Sequence, residues 1–270
     1  MTTTTAETEA TNHLYWEAKG SGPAVLLIAG TPGDAGQFAA VSDELAMDHL
    51  VIAYDRRGTS RSAAPSGWSE TTVTEQTEDA ATVLSLVGVP SALVFGTSNG
   101  AAVALELALR QPARVSRAIL HEMPLLSVLD DPSPVVSAIG SVIGPAMEAG
   151  GPRAALDAFL RFAFGDAIVE TWPPVFRERM LENAEMALSI ELPAFQAYRP
   201  DAERLAACQV PVTVLVGQEE QLPFFHEAAS WLADRLGTTV GAAPDAHGPQ
   251  FSAPAPLAGT IRAIEAVGGR

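Results

Sequence analysis

Hydrophobic positions along this chain form short, nearly continuous aliphatic runs, and longer segments with helical periodicity separate these runs. The runs predict buried strands at 24–29, 50–54, 91–95, 115–121, 212–216 and 238–242. The periodic segments predict helices at 34–47, 72–87, 101–110, 223–236 and about 254–266. Because strands and helices alternate at this spacing, the pattern indicates a mostly parallel, doubly wound α/β sheet.

The pattern changes after Pro124. Residues 125–205 contain no convincing strand, and their helical segments at 134–149, 152–164 and 174–189 are broken by glycine and proline. We interpret this stretch as an α-helical cap inserted into the sheet domain. The predicted organisation is a disordered tail at 1–12, an α/β core made of 13–124 and 206–270, and a cap at 125–205.

Composition narrows the possible partners. Hydrophobic residues make up 47% of the 270 residues, which is enough for a sizeable core, and 32 acidic against 16 basic side chains give a net charge of −16. Such a surface repels phosphate backbones and anionic membranes, so we expect no nucleic-acid or membrane partner and favour a neutral, apolar small molecule. The one cysteine, Cys208, excludes an intrachain disulfide and is interpreted as a small buried apolar residue.

The amino-terminal segment has neither the basic start nor the apolar centre of a signal peptide. No apolar run in the sequence is long enough to span a bilayer. We therefore expect a cytoplasmic protein, either a monomer or a homodimer.

The pentapeptide Gly96-Thr97-Ser98-Asn99-Gly100 is the strongest chemical motif. It lies between a predicted strand and a predicted helix, which is the setting of a G-x-S-x-G nucleophile elbow. There a serine occupies a sharp turn with its hydroxyl exposed. The motif alone is weak evidence, since glycine and serine are common. Its context makes Ser98 the candidate nucleophile.

A serine nucleophile needs a base, and the base needs a carboxylate that fixes its tautomer. His247 is the candidate base, because it follows the last predicted strand in the loop Pro244-Asp245-Ala246-His247-Gly248-Pro249. The residues alone leave the acid open. Glu219 and Glu220 follow the strand at 212–216, and Glu122 follows the strand at 115–121.

An oxyanion hole requires two backbone N–H donors aimed at the developing negative charge. The N–H of Asn99, next to the nucleophile, is one candidate. The other is the N–H of Thr31, in the turn Ala29-Gly30-Thr31-Pro32-Gly33 after the first predicted parallel strand. The segment that begins at Asp55-Arg56-Arg57-Gly58 is expected to hold a loop near the site.

These motifs, in their order along the chain, resemble those of the alpha/beta-hydrolases, and the resemblance covers about 14–264. The resemblance implies that family's fold, with an inserted helical cap. A narrower similarity lies in Ala118-Ile119-Leu120-His121-Glu122-Met123-Pro124, which resembles a segment of the zearalenone-lactonase-like hydrolases. In that group the glutamate of the His-Glu-x-Pro segment is the acid, which implies Glu122. The resemblance also implies a cofactor-free Ser-His-Glu mechanism on an ester or lactone. We expect no metal, since no pair of histidines has the spacing of a metal site.

The substrate pocket is expected between cap and sheet. Gly30, Trp172 and Phe195 are the candidate pocket residues, since the two aromatic residues lie near prolines and outside the strongest helical periodicity. Two rival functions stay open. One is a C–C bond hydrolase, perhydrolase or lyase that uses the same serine and histidine, and the other is a non-catalytic small-molecule binder.

Overall fold

A computed structural model describes the backbone of residues 4–6 and residues 14–267. Eight strands form one sheet: β1 Thr4–Ala6, β2 Trp16–Gly20, β3 Ala24–Ile28, β4 Leu50–Tyr54, β5 Ala92–Thr97, β6 Val115–His121, β7 Val212–Gly217 and β8 Val240–Ala243. Their order across the sheet is β1-β2-β4-β3-β5-β6-β7-β8. The β1–β2 and β2–β4 pairs are antiparallel, and the other pairs are parallel. The predicted mostly parallel α/β fold is confirmed.

The parallel strands are mostly apolar because both faces of the sheet are covered. Within β3, Leu26 and Ile28 pack into one core, whereas Val25 and Leu27 pack into the core on the opposite face. Helices cover both sides: α1 Ala39–Leu45, α2 Val73–Val87, α3 Asn99–Arg110, α10 Pro223–Leu236, α11 Pro249–Ser252 and α12 Pro254–Val267. Side chains of α2, α3 and α10 line the first core, and those of α1 and α12 line the second. A strand buried on both faces has no polar positions to alternate.

Between β6 and β7 the chain is helical: α4 Ser133–Phe164, α5 Asp166–Thr171, α6 Pro174–Glu182, α7 Ala184–Met186, a π-helix at Ala187–Glu191, α8 Leu192–Gln196 and α9 Ala202–Ala206. α4 is interrupted at Gly150 and Gly151, whose dihedral angles are not helical. Its two arms therefore correspond to the separate helices predicted at 134–149 and 152–164. A third core, which includes Leu156, Trp172 and Met180, lies inside this helical layer.

Some local predictions differ from the structure. Residues Thr4–Ala6 of the predicted disordered tail pair with β2, and the rest of that tail lies outside the described residues. The helix predicted at 34–47 begins as a 3-10 turn, Ala35–Phe38, before α1. Cys208, expected to be buried, is half-buried against the first core. Among the described helices, none combines the length and the apolarity needed to cross a membrane.

Candidate active site

Ser98 lies at the turn between β5 and α3. Its dihedral angles, φ 52° and ψ −131°, are strained for a residue with a side chain. The turn is tight on both sides. A Cβ atom on Gly96 would lie 2.3 Å from the carbonyl oxygen of Gly100, and one on Gly100 would lie 2.3 Å from that of Ile28. The motif therefore needs its glycines for close backbone approach, and the turn presents the Ser98 side chain to the cavity described below.

His247 occupies the loop between β8 and α11, and its ring is buried. Nδ1 of the ring lies 2.6 Å from Oε2 of Glu122, a hydrogen-bond distance. The Phe225 ring stacks on the imidazole at a centroid distance of 4.8 Å, and the Phe164 ring lies at 5.4 Å. These contacts fix the plane of the imidazole. No hydrogen bond joins it to the hydroxyl of Ser98 within the described residues, and such contacts are often long without substrate.

Glu122 follows β6 directly and is 1% exposed. Its backbone has a positive φ of 45°, which turns the side chain toward the end of β7. There Oε1 accepts a hydrogen bond of 2.8 Å from the backbone N–H of Gly217. Burial by itself would raise the pKa of Glu122, but the hydrogen bond with His247, the two nearby imidazoles and the Gly217 N–H together hold this pKa below its ordinary value. The carboxylate is therefore ionised at neutral pH.

Neither alternative acid hydrogen-bonds to the ring of His247. Glu219 is exposed, whereas Glu220 is buried and its Oε1 accepts a hydrogen bond of 2.7 Å from the backbone N–H of Leu222. Burial and the neighbouring Glu122 raise the pKa of Glu220. The structure thus brings Glu122, and neither alternative, within hydrogen-bond distance of the ring of His247.

The side chains of Glu122, Glu220 and His247 are of the types that bind metal ions, and they lie close together. One potential ligand atom from each lies within 4.8 Å of the others. Two of these side chains, Glu122 and His247, face each other at 2.6 Å, which is a hydrogen-bond distance. This geometry is that of a hydrogen bond rather than of two atoms converging on a shared ion.

The two candidate oxyanion donors lie beside the nucleophile. Thr31 and Asn99 both line the cavity that contains Ser98, and neither backbone N–H has an acceptor within the described residues. The side chains of the two residues are hydrogen-bonded, because Nδ2 of Asn99 donates to Oγ1 of Thr31 at 2.8 Å. This bond ties the turn after β3 to the first turn of α3, and it fixes the spacing of the two backbone donors.

An ion pair that sequence reasoning did not identify lies behind this turn. Arg56 and Glu191 are both fully buried, and Nη2 of Arg56 lies 3.0 Å from Oε2 of Glu191. The same Nη2 donates to Oγ1 of Thr31 at 3.3 Å. Glu191 belongs to the π-helix of the helical insertion, so the pair joins that layer to the candidate oxyanion turn. A lone glutamate directly between two apolar residues, Ile190 and Leu192, is the sequence feature that could have indicated it.

Removing one partner of this pair should destabilise the protein strongly. In Glu191→Leu, the guanidinium of Arg56 stays buried without its counter-charge, so the free energy of unfolding should fall by about 3–5 kcal/mol. The double variant Arg56→Met/Glu191→Leu should recover most of this loss, since no charge remains buried. Urea unfolding at pH 7 measures both values. Equal losses in the single and double variants would contradict this account.

His121 lies beneath the Glu122–His247 pair and is fully buried. Its Nδ1 lies 2.9 Å from Oγ1 of Thr97, and its Nε2 lies 3.8 Å from Oε1 of Glu122. The ring lies between those of Phe95 and His247, with both centroid distances 6.3 Å. Burial lowers the pKa of His121 from 6.5 to about 4, so the ring is neutral at neutral pH.

This lowered pKa predicts a loss of stability in mild acid. Between pH 6.5 and 4 the unfolded chain binds a proton at His121 that the folded protein does not bind. The free energy of unfolding should therefore fall by about 2 kcal/mol between pH 7 and pH 5. His121→Gln should lack this part of the pH dependence. Urea midpoints of both proteins at the two pH values test it, and parallel decreases in both would refute it.

A cavity of about 100 Å³ lies over these groups, between the sheet and the helical layer. Its polar side chains are Thr31, Ser98, Asn99, Gln196 and His247, and the remaining thirteen lining residues are apolar. Phe195 lines the cavity. Trp172 does not, because Phe164 stands in front of it with ring centroids 5.6 Å apart. Gly30 lies behind Ser98, where an added Cβ would be 2.8 Å from the serine Cβ.

Comparison with known proteins defines the class. A family model described as the alpha/beta hydrolase fold matches residues 23–158, and the chain belongs to this family. Solved structures agree in fold over most of the chain. The enol-lactonase from Burkholderia xenovorans LB400 has a TM-score of 0.75 at 20% identity, covering 94% of this chain and 96% of that one. A thermophilic esterase from Thermogutta terrifontis has a TM-score of 0.74 at 22% identity, covering 95% and 94%.

Curated relatives are hydrolases. The chain is 38% identical to the uncharacterized hydrolase YraK of Bacillus subtilis over 43% of each chain. It is 42% identical to the putative carbamate hydrolase RutD of Azorhizobium caulinodans over 38% of each. It is 34% identical to the zearalenone hydrolase of Bionectria ochroleuca over 41% of this chain and 43% of that one. Each match thus spans less than half the relative's length. The resemblance to the zearalenone-lactonase-like group is confirmed.

Proposed function

We propose that this protein is a serine hydrolase that cleaves carboxylic esters or lactones of neutral, largely apolar small molecules. The observation that carries the proposal is the 2.6 Å contact between Glu122 and His247, because it places an oriented imidazole at the cavity that contains the strained Ser98. A nucleophile, a base and a carboxylate that orients the base are the three groups that serine-based acyl transfer requires.

In the proposed mechanism, His247 takes the proton of the Ser98 hydroxyl as its oxygen attacks the substrate carbonyl carbon. Glu122 keeps the other ring proton on Nδ1 and stabilises the imidazolium that forms. The backbone N–H groups of Thr31 and Asn99 bind the oxyanion. His247 then protonates the departing alcohol, and it later activates the water that releases the acid. No cofactor takes part in this scheme.

The cavity lining supports a neutral substrate. Apart from the ring of His247, no ionisable side chain lines it within the described residues, so neither a carboxylate nor an ammonium group of a substrate would find a counter-charge. Esters and lactones fit this lining. Carbamates belong in the same test, because several relatives are named putative carbamate hydrolases. We also propose that the protein acts in the cytoplasm, as a monomer or homodimer, without nucleic-acid or membrane partners.

Labelling and a substrate panel test the proposal. A fluorophosphonate probe should label the wild-type protein, and a panel of aryl esters, lactones, aryl carbamates and β-diketones should show turnover of the esters or lactones. Cleavage of β-diketones alone would replace the proposal by the C–C bond hydrolase. Absence of both labelling and turnover would support the non-catalytic binder instead.

A further inference from the structure

A second cavity, of about 320 Å³, lies next to the first one. Leu129, Val135 and Ala138 from the helical layer form one side of it, and Pro223, at the start of α10, contributes to the other. It reaches the surface, because Pro223 and the carboxylates of Asp131 and Glu227 on its rim are exposed. The proposed mechanism uses none of these residues.

Three side chains separate the two cavities. Phe162, Leu222 and Phe224 line both of them, and all three are half-buried. The ring of Phe224 lies 4.1 Å from that of Phe225, which stacks on His247. The rings of Phe225 and Phe224 therefore lie between the imidazole of His247 and the second cavity.

We call Phe162, Leu222 and Phe224 the partition between the two cavities. The partition lies under a loosely packed part of the molecule. Val135 is the one buried residue of the first arm of α4, and the arm joins the rest of the helix through the non-helical Gly150 and Gly151. Ala138 of this arm faces the second cavity, and Ile139 faces the first. A helix with so few buried contacts can shift at low cost.

We propose that the second cavity is a distal chamber that binds the apolar end of the ester substrate, reached when Phe162, Leu222 and Phe224 move aside. This inference rests on the proposed function. The first cavity, at about 100 Å³, is smaller than the roughly 150 Å³ cavity that holds one benzene ring. An ester with a longer chain or a second ring must therefore extend beyond it. Asp131 and Glu227 on the rim disfavour a substrate whose far end carries a negative charge.

Chain-length specificity tests the chamber. The substitution Ala138→Phe places a phenyl ring in the second cavity, and Ala138 does not line the first. It should lower the ratio of kcat/KM for p-nitrophenyl octanoate to kcat/KM for the acetate at least tenfold, since each methylene kept out of an apolar site costs about fourfold. Ala154→Phe makes the same change on the same helix, at a separate surface cleft. It should leave the ratio unchanged.

A second variant acts in the opposite direction. Phe162→Ala removes part of the partition and should raise the octanoate-to-acetate ratio. If the ratio is unchanged in both Ala138→Phe and Phe162→Ala, the proposal of a distal chamber is wrong. Equal changes in Ala138→Phe and Ala154→Phe would overturn it as well.

Binding without turnover separates the chamber from the proposed function. In the Ser98→Ala background, calorimetry with 2-decanone and 2-butanone compares a long and a short neutral ketone. The longer ketone should bind more tightly, and Ala138→Phe should weaken it at least tenfold. If no ester is hydrolysed but this loss is observed, the chamber stands and the proposed function fails. If esters are hydrolysed but the loss is absent, the chamber fails and the proposed function stands.

Discussion

Replacing Ser98 by alanine should reduce ester or lactone hydrolysis by about a million-fold. The hydroxyl oxygen is the atom that forms the acyl-enzyme, and no other described serine lines the cavity. His247 and Glu122 keep their contact in this variant, so folding should be preserved. Stopped assays with an aryl ester measure the loss, and the fluorophosphonate probe should no longer label the protein.

The control for this experiment is Ser85→Ala. Ser85 is exposed on α2, where its hydroxyl donates to the carbonyl oxygen of Ala81 at 3.0 Å. Its loss should leave hydrolysis within about twofold, as expected for a surface substitution. Undiminished turnover by Ser98→Ala, with the Ser85→Ala protein equally active, would exclude an acyl-enzyme at position 98.

Glu122→Gln should lower kcat by about ten thousand-fold. Oε1 of the amide can still accept the hydrogen bond from the Gly217 N–H, so the side chain should keep its place. The amide NH₂ then faces Nδ1 of His247 and donates to it. The ring proton is forced onto Nε2, and the imidazole can no longer take a proton from Ser98. Single-turnover kinetics at pH 7 would measure this loss.

Glu220→Gln is the matched control for that variant. Glu220 is the neighbouring buried carboxylate, and its Oε1 contact with the N–H of Leu222 survives in the amide. We expect kcat within about fivefold of wild type, because this side chain does not hydrogen-bond to the ring of His247. A loss in Glu220→Gln as large as that in Glu122→Gln would mean that both carboxylates are required. A larger loss in Glu220→Gln would transfer the role of the acid to Glu220.

Several elements could be read from local patterns because their cause is local. A strand covered on both faces is apolar at most positions, so the runs around Val25, Val51 and Ile119 were recognisable without any knowledge of their partners. The nucleophile elbow is local as well. Its glycines are required by backbone contacts within the strand, the turn and the helix, or with the neighbouring strand end.

Other features depended on how distant segments pack. Trp172 and Phe164 are both aromatic residues of the helical insertion, and composition does not distinguish them. Phe164 faces the cavity because it ends α4 beside His247, whereas Trp172 packs behind it against Phe176 and Phe251. The pairing of Arg56 with Glu191 joins residues 135 positions apart. No periodicity in the sequence predicts such a contact between distant residues.

The sequence by itself determined the parallel α/β sheet, its helical insertion, and the candidate roles of Ser98 and His247. These follow from the burial of strand faces and from the chemistry that a serine in a tight turn requires. Only the tertiary structure decided which carboxylate meets the imidazole and which aromatic side chains enclose the cavity. Glu122 and Glu220 both follow parallel strands at the same edge of the sheet. The hydrogen bond to His247 depends on the direction in which each backbone turns after its strand.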